Sequence, residues 1–206
     1  LQKYEVDEIE YTWDYIDKNL IQFIDANDNG QLPKLETGYR NMHLSYIVSL
    51  FNPKWDEEKD SDINFMKALD LCKNIFDEFL HDSISKIKAK KFVDEAIKKS
   101  NNGILVLDEF MPWKEFLLES KDEKAKKINF AVFPSARGGY NVYAAPLEKG
   151  SFENRKTLPL EWRGLVDKDL QEVTGVKTAR FCHNAGFICS TENKEDAIKL
   201  ALKANN

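Results

Sequence analysis

The sequence is poor in the residues that mark disulfide scaffolds, metal knuckles and disordered tails, with three cysteines, three histidines, six prolines and nine glycines in 206 positions. An odd cysteine count (Cys72, Cys182, Cys189) with no signal peptide argues against a secreted disulfide framework and for a reduced, intracellular setting. Long apolar runs are missing too. No stretch reaches the roughly 18–20 residues that a bilayer crossing requires, and the opening LQKYEVDEIE has neither a basic nor an apolar leader region. No membrane partner is therefore expected. The chain also opens without methionine, the expectation for a piece of a longer protein or for a processed one. A net charge of −5 excludes a chain-wide basic footprint for nucleic acid, but a local basic groove is invisible in that sum. Arginine is scarce, at positions 40, 137, 155, 163 and 180 only. Because a guanidinium forms planar, paired bonds to phosphate or carboxylate that an ammonium cannot copy, each of the five is a candidate for an anion contact or for a structural ion pair.

What remains is an ordinary globular composition, 42% apolar and 12% aromatic. Val6, Ile9, Trp13, Ile16, Leu20, Phe23 and Ile24 recur at helical spacing, which predicts one long amphipathic helix with a buried stripe, ending at DANDNG. YRNMHLSYIVSLF predicts a second helix closed by NPKW, and DEEKDSD an acidic linker. Residues 61–100 carry helical spacing throughout, as one helix or two in series. After KKSNNG the pattern changes: ILVLDEF, KINFAVFPSA and GGYNVYAAPL read as strands, the last two joined by a turn at Arg137-Gly138-Gly139. DKDLQEVTG reads as a short helix with a glycine stop, TARFCHN and GFICS as strands around Ala185-Gly186, and NKEDAIKLALKA as a helix capped by Asn193. The expected class is α+β, with a helical segment over 1–100 and an α+β part over 101–206.

RFCHNAGFICS draws the eye as a zinc or thiol site. Adjacent residues of a strand point to opposite faces, however, so Cys182 and His183 do not readily share a metal. His183 before Asn-Ala-Gly could bind an anion or simply bond within its turn. SARGGYNV reads either as a ligand-approaching loop or as a hairpin turn. Asp25 and Asp28, three apart, would share a helix face and could hold Mg²⁺ or Mn²⁺ through oxygen, or act as capping residues. Trp162 and Arg163 pair a core indole with a phosphate- or acid-binding guanidinium.

DANDNG, NMHLSYIVSLFNPKW, MPWKEFL, SARGGYNVYAAP, LPLEWRGL with Asp167 following, and RFCHNAGFICS stand in that order, and together the chain resembles the Myg (melanocyte-proliferating-gene) family of DHH-type phosphoesterases. The resemblance implies a two-domain, metal-dependent phosphoesterase, with members acting as 3′-to-5′ RNA exonucleases in the nucleus and mitochondria. The family's T-H-x-G-x-F-H-x-D-[DE], D-[VI]-G-G and D-H-H-Q patterns are absent here. By the resemblance, the chain is the C-terminal portion: helical connectors followed by a DHH-associated-like mixed α/β domain, without the N-terminal DHH core. The last motif departs from the family's F-V-H-x-x-G-F-I-G-G, with Cys182 and Cys189-Ser190 in place of Val and the Gly pair.

By resemblance, Asp28 is the last acidic ligand of a divalent Mn or Mg site, with Asp25 as a second candidate; His43, Arg137, Gly138, Gly139, Arg163, His183 and Gly186 bind substrate. His183 and Arg137, helped by the Gly138-Gly139 amides, are expected to clamp one phosphate or ribose of an RNA or other phosphodiester. No metal is expected on this chain alone, which is expected to be inactive. The alternative is a non-catalytic RNA- or protein-binding module, and the long helix could also support a homodimer.

Overall fold

The computed structural model describes residues 6–32, 42–57 and 61–206, which divide into two compact units, Leu1–Ile87 and Lys88–Asn206. The division falls inside the longest helix. Arg40, one of the five arginines, lies outside the described residues.

The first unit is helical. Helix α1 (Val6–Ile16) continues through a π-helical turn, Asp17–Ile21, into α2 (Gln22–Asp28). Then come α3 (Leu44–Ser49) and the 39-residue α4 (Ser61–Lys99), a single helix. The expected buried stripe on α1 and α2 is only partly buried: Ile16 is 2% exposed, whereas Trp13 and Phe23 are 56% and 47% exposed. Two physical causes act here. The π turn inserts a residue into the helical repeat and so rotates the side chains of α2 about the helix axis, and the unit offers little to pack against. Among its described residues, the buried apolar ones are Ile16, Ala68 and Ile87, while Phe65, Met66, Leu69 and Phe76 stand exposed along α4. Helices of this kind gain most of their stability from a covered apolar face, and here that face is largely bare.

The second unit has the core. Strands β1 (Ile104–Val106), β2 (Phe130–Pro134), β3 (Tyr140–Ala144), β4 (Ala179–Cys182) and β5 (Ile188–Thr191) form one sheet in the order β1-β2-β3-β5-β4. Only β1 and β2 are parallel. A parallel pair needs a crossover of a dozen or more residues, and residues 107–129 supply it with two short helices, α5 (Lys114–Glu119) and α6 (Glu123–Lys127). Neither is long enough to show a helical period in the sequence. Helix α7 (Asp167–Thr174) ends at Gly175, as its sequence predicts, and α8 (Lys194–Asn205) starts where the Asn193 side chain accepts the Asp196 N–H at 2.9 Å.

Register sorts the side chains, because cross-strand partners share a face. Val106, Val132, Val142, Cys189 and Cys182 form a row facing α7 and α8, where Leu170, Ala197, Leu200 and Ala201 complete the core. Full burial of each large aliphatic chain stabilises the fold by roughly 1.5–3 kcal/mol. The α+β class expected from the sequence is what the sheet shows. Among the described residues, no helix is long and apolar enough to cross a membrane.

Candidate functional site

The other face of the same sheet is only half covered. The next row on it runs Phe133, Asn141, Ser190, Phe181 across β2, β3, β5 and β4, and beside it run Ala131, Tyr143 and Ile188. Trp113 of the crossover lies against Phe133 and Tyr143, with ring centroids 6.2 and 6.1 Å away, so the β1–β2 half is roofed. Toward β5 and β4, Asn141, Ser190, Ile188 and Phe181 all retain some exposure. A chain of rings crosses this face: Phe110 to Phe133 at 5.6 Å, Phe133 to Tyr143 at 6.3 Å, Tyr143 to Phe187 at 5.4 Å, and Phe187 to His183 at 4.5 Å.

At one end of the open face lies a cavity of about 550 Å³ whose polar lining comes from Ser135, Arg137, Asn141, Arg180 and Ser190, with no carboxylate among its lining residues. The β2–β3 turn builds it. Gly138 N–H donates to the Ser135 carbonyl at 3.0 Å and Arg137 N–H to Ser135 Oγ at 3.2 Å, so the Gly138 amide is already engaged. Gly139 has φ 77°, and a Cβ there would lie 2.2 Å from the Thr191 carbonyl oxygen; only glycine lets the turn close onto β5. Arg180 joins from β4, donating to the Gly138 carbonyl at 3.4 Å and pairing with Glu192 at 3.7 Å. That ion pair is exposed and worth about 0–1 kcal/mol; a phosphate can displace it. Arg137 makes no ion pair or side-chain hydrogen bond among the described residues. A free guanidinium beside a half-tied one, in a cavity without acid, suits an anion with several oxygens.

The turn His183–Gly186 stands at the opposite end of β5. Tyr140 pairs with Thr191 near Arg137, and Tyr143 with Ile188 near His183, so the two turns are separated by the length of a four-residue strand, roughly 13 Å. Strand pairing therefore places Arg180, not His183, beside Arg137, and the two residues expected to clamp a phosphate or ribose together, Arg137 and His183, stand a strand's length apart. His183 is exposed, and its Nδ1 accepts the Ala185 N–H at 3.1 Å, the local turn bond. Arg163 braces this turn. Its Nε and Nη2 donate to the Leu158 carbonyl at 3.1 and 3.0 Å, and Nη2 also donates to Thr157 Oγ1 at 2.9 Å. Gly186, at φ 68°, lies so close that a Cβ would sit 2.5 Å from Arg163 Nε. Arg155 is likewise turned inward, onto the Ala125 and Ile128 carbonyls.

Cys182 and Cys189 are buried as cross-strand partners on the α8 side of the sheet, with the Cys182 thiol 3.9 Å from the His183 carbonyl. The hydrogen bond to Cys182, together with burial, pushes the Cys189 thiol well above its ordinary range, so it stays protonated. Both behave as small core residues.

In the first unit, Ser45 Oγ donates to Asp28 Oδ1 at 3.3 Å, which brings Asp28 to the start of α3, where His43 Nδ1 caps the helix by accepting the Tyr46 N–H at 3.1 Å. Asp25 Oδ1 accepts from the Asn29 side-chain amide at 3.1 Å, and the same amide caps the end of α2 by donating to the Asp25 carbonyl at 3.0 Å. Among the described residues, no group of three or more His, Cys, Asp or Glu could hold a metal ion. Asp25 and Asp28 would supply part of the oxygen shell of a divalent cation, with water and other oxygens filling the rest.

Several residues of the open face escape a sequence reading. Phe110 and Phe152 carry no motif of their own, Lys114 and Phe181 lie in MPWKEFL and RFCHNAGFICS without being singled out there, and Arg180 gains its place only through the pairing of β4 with β5. A bulge between Ala179 and Phe181 aims Phe181 onto this face. The MPWKEFL stretch is the one usable signal for the crossover.

Comparison with known proteins gives a consistent result. The chain is 33% identical over 94% of its length to a MYG1 protein of Saccharomyces cerevisiae and 32% identical over 96% of its length to one of Schizosaccharomyces pombe. It is 32% identical over 94% of its length to the MYG1 exonuclease of Rattus norvegicus. It covers 63%, 64% and 54% of those three relatives, so it spans between about half and two thirds of their length. No solved structure matches it significantly. A family model described as "Uncharacterised protein family (UPF0160)" and headed MYG1 exonuclease matches residues 1–204, and the chain belongs to that family.

Proposed function

We propose that this chain is the substrate-holding, C-terminal portion of a metal-dependent 3′-to-5′ RNA exonuclease of the nucleus or mitochondria. The observation that carries the reading is the cavity at the β2–β3 turn, where Arg137 and Arg180 face an acid-free lining in a protein of net charge −5. Arg137 and Arg180 hold a phosphate of the RNA backbone, Gly139 sets the turn that aims Arg137, and Arg163 with Gly186 fixes the His183 turn at the far end of the same face. Positioning of this kind can lower a barrier by several kcal/mol.

The hydrolytic centre lies outside this chain. Three features support that: the DHH-type patterns are missing from the sequence, no three-ligand group occurs among the described residues, and the first unit leaves Trp13, Phe23, Phe65 and Leu69 exposed for a partner segment to cover. Asp28, with Asp25 beside it, is this chain's own contribution toward a Mn or Mg site whose other ligands come from elsewhere. Divalent ions at such a centre supply an activated water and stabilise phosphodiester charge.

The test is direct. With Mn²⁺ or Mg²⁺, the longer protein degrades single-stranded RNA and the 206-residue chain leaves it intact. In the longer protein Arg137→Ala lowers kcat/KM by about tenfold or more, the loss of one charge-assisted phosphate contact. Metal-dependent hydrolysis by the 206-residue chain alone would overturn the placement of the hydrolytic centre.

A further inference from the structure

The phosphate cavity is one of two on the open face. The second, of about 650 Å³, lies at the His183 end and is lined in part by Tyr143, Phe187 and Phe152. Each is of a size that holds a small organic ligand. The two differ in charge: the arginine cavity has no acid, whereas the second balances Lys114 and Lys149 against Glu115 and Glu148. A second anion is therefore not what the second cavity selects. Its distinguishing feature is ring surface.

Three phenylalanines of this unit are strongly exposed: Phe92 on α4, at 60%, and two at these cavities. Phe110, 71% exposed, walls the arginine cavity, and Phe152, 101% exposed, walls the other. Exposed rings of that size are costly to solvate, and here one occurs at each cavity. Between them runs the ladder Phe133, Tyr143 and Phe187, and Lys114, which lines the second cavity, holds its ammonium 4.0 Å above the Tyr143 ring. Cation, ring, cation, ring is the arrangement that tracks a phosphate backbone while bases stack on aromatic side chains.

We infer that the open face is a stacking track for an unpaired nucleic-acid strand, with one base laid against Phe110 beside the Arg137–Arg180 phosphate site and another against Phe152, Lys114 meeting the backbone between them. The inference rests on the proposed function and extends it to the side chains that hold the bases. In a duplex, base faces are covered by their neighbours and cannot reach the two rings; the track therefore selects single strands. Stacking is indifferent to base identity, so the face reads strandedness rather than sequence.

The experiment measures binding of the 206-residue chain to three labelled probes of about ten residues, long enough to span an ordinary single-strand site: oligouridylate, an abasic phosphodiester oligomer, and the uridylate strand annealed to its complement. Phe110→Ala and Phe152→Ala remove exposed rings, and unchanged circular dichroism verifies the fold. Each variant is expected to bind oligouridylate about tenfold more weakly and the abasic oligomer unchanged, as base stacking of ordinary strength implies. The duplex is expected to bind at least about tenfold more weakly than the single strand. Variants that bind oligouridylate like the parent, or a duplex bound as tightly as the single strand, overturn the track. Arg137→Ala separates the two claims: weakening of both single-stranded oligomers with silent phenylalanine variants keeps the phosphate site and removes the track. Absence of binding to any oligomer overturns both and leaves the face to a protein partner.

Discussion

Gly139→Ala lowers the stability of Lys88–Asn206 by about 3 kcal/mol, measured as a fall of roughly 1–2 M in the urea midpoint followed by circular dichroism. Two costs combine. The first is backbone conformation: φ 77° is a region that residues with a Cβ rarely adopt. The second is overlap, because the new Cβ would lie 2.2 Å from the Thr191 carbonyl oxygen, and Thr191 is fully buried in the sheet and cannot retreat. Gly138→Ala isolates the first cost. Gly138 has a similar φ of 83°, but nothing lies within 4 Å of its Cβ position, so about 1 kcal/mol is expected there. Equal effects of the two substitutions would refute the close approach of the turn to β5, and with it the geometry that aims Arg137.

Amides of α1, α2 and α3 exchange at least about a thousandfold faster with deuterium than those of β2, β3 and β5 in the 206-residue chain. Exchange protection follows the free energy of local opening, which in turn follows apolar burial. Phe130, Val132, Val142, Cys189, Leu170 and Leu200 are buried together around the sheet, whereas α2 and α3 have no buried residue. A thousandfold difference corresponds to about 4 kcal/mol, a modest part of what several fully buried side chains contribute. Comparable protection in both units would mean that the helices are stable as they stand, and would remove one support for a partner segment on the faces of Trp13 and Phe65.

The sequence carries much of the second unit plainly. Alternation in KINFAVFPSA and GGYNVYAAP, the paired glycines between them, and the Asn193 cap of α8 are local signals, and each corresponds to an observed element. Local signals fail where long-range pairing decides. Arg137 and His183 occur in equally inviting turns, and only the antiparallel register of β3 with β5 puts them at opposite ends. Arg180 is one of five candidate anion-binding arginines, and nothing in the string TARFCHN sets it beside Arg137 until β4 takes the outside place next to β5; Phe181 faces the open side only because the strand bulges. The apolar spacing of α1 is readable as a helix, but the exposure of Trp13 is not, since a periodic stripe shows that a face is made to be covered and not what covers it.

The claim on which the functional reading turns is that the arginine end of the open face holds the nucleic-acid backbone. It is tested most directly by measuring the affinity of the 206-residue chain for the same oligouridylate across a salt series, for the parent and for Arg137→Ala with Arg180→Ala. The expected result is a shallower dependence of log K on log salt in the double variant, by about 0.7 for each phosphate contact removed, with affinity reduced at low salt. An unchanged slope with unchanged affinity would contradict a phosphate grip by Arg137 and Arg180.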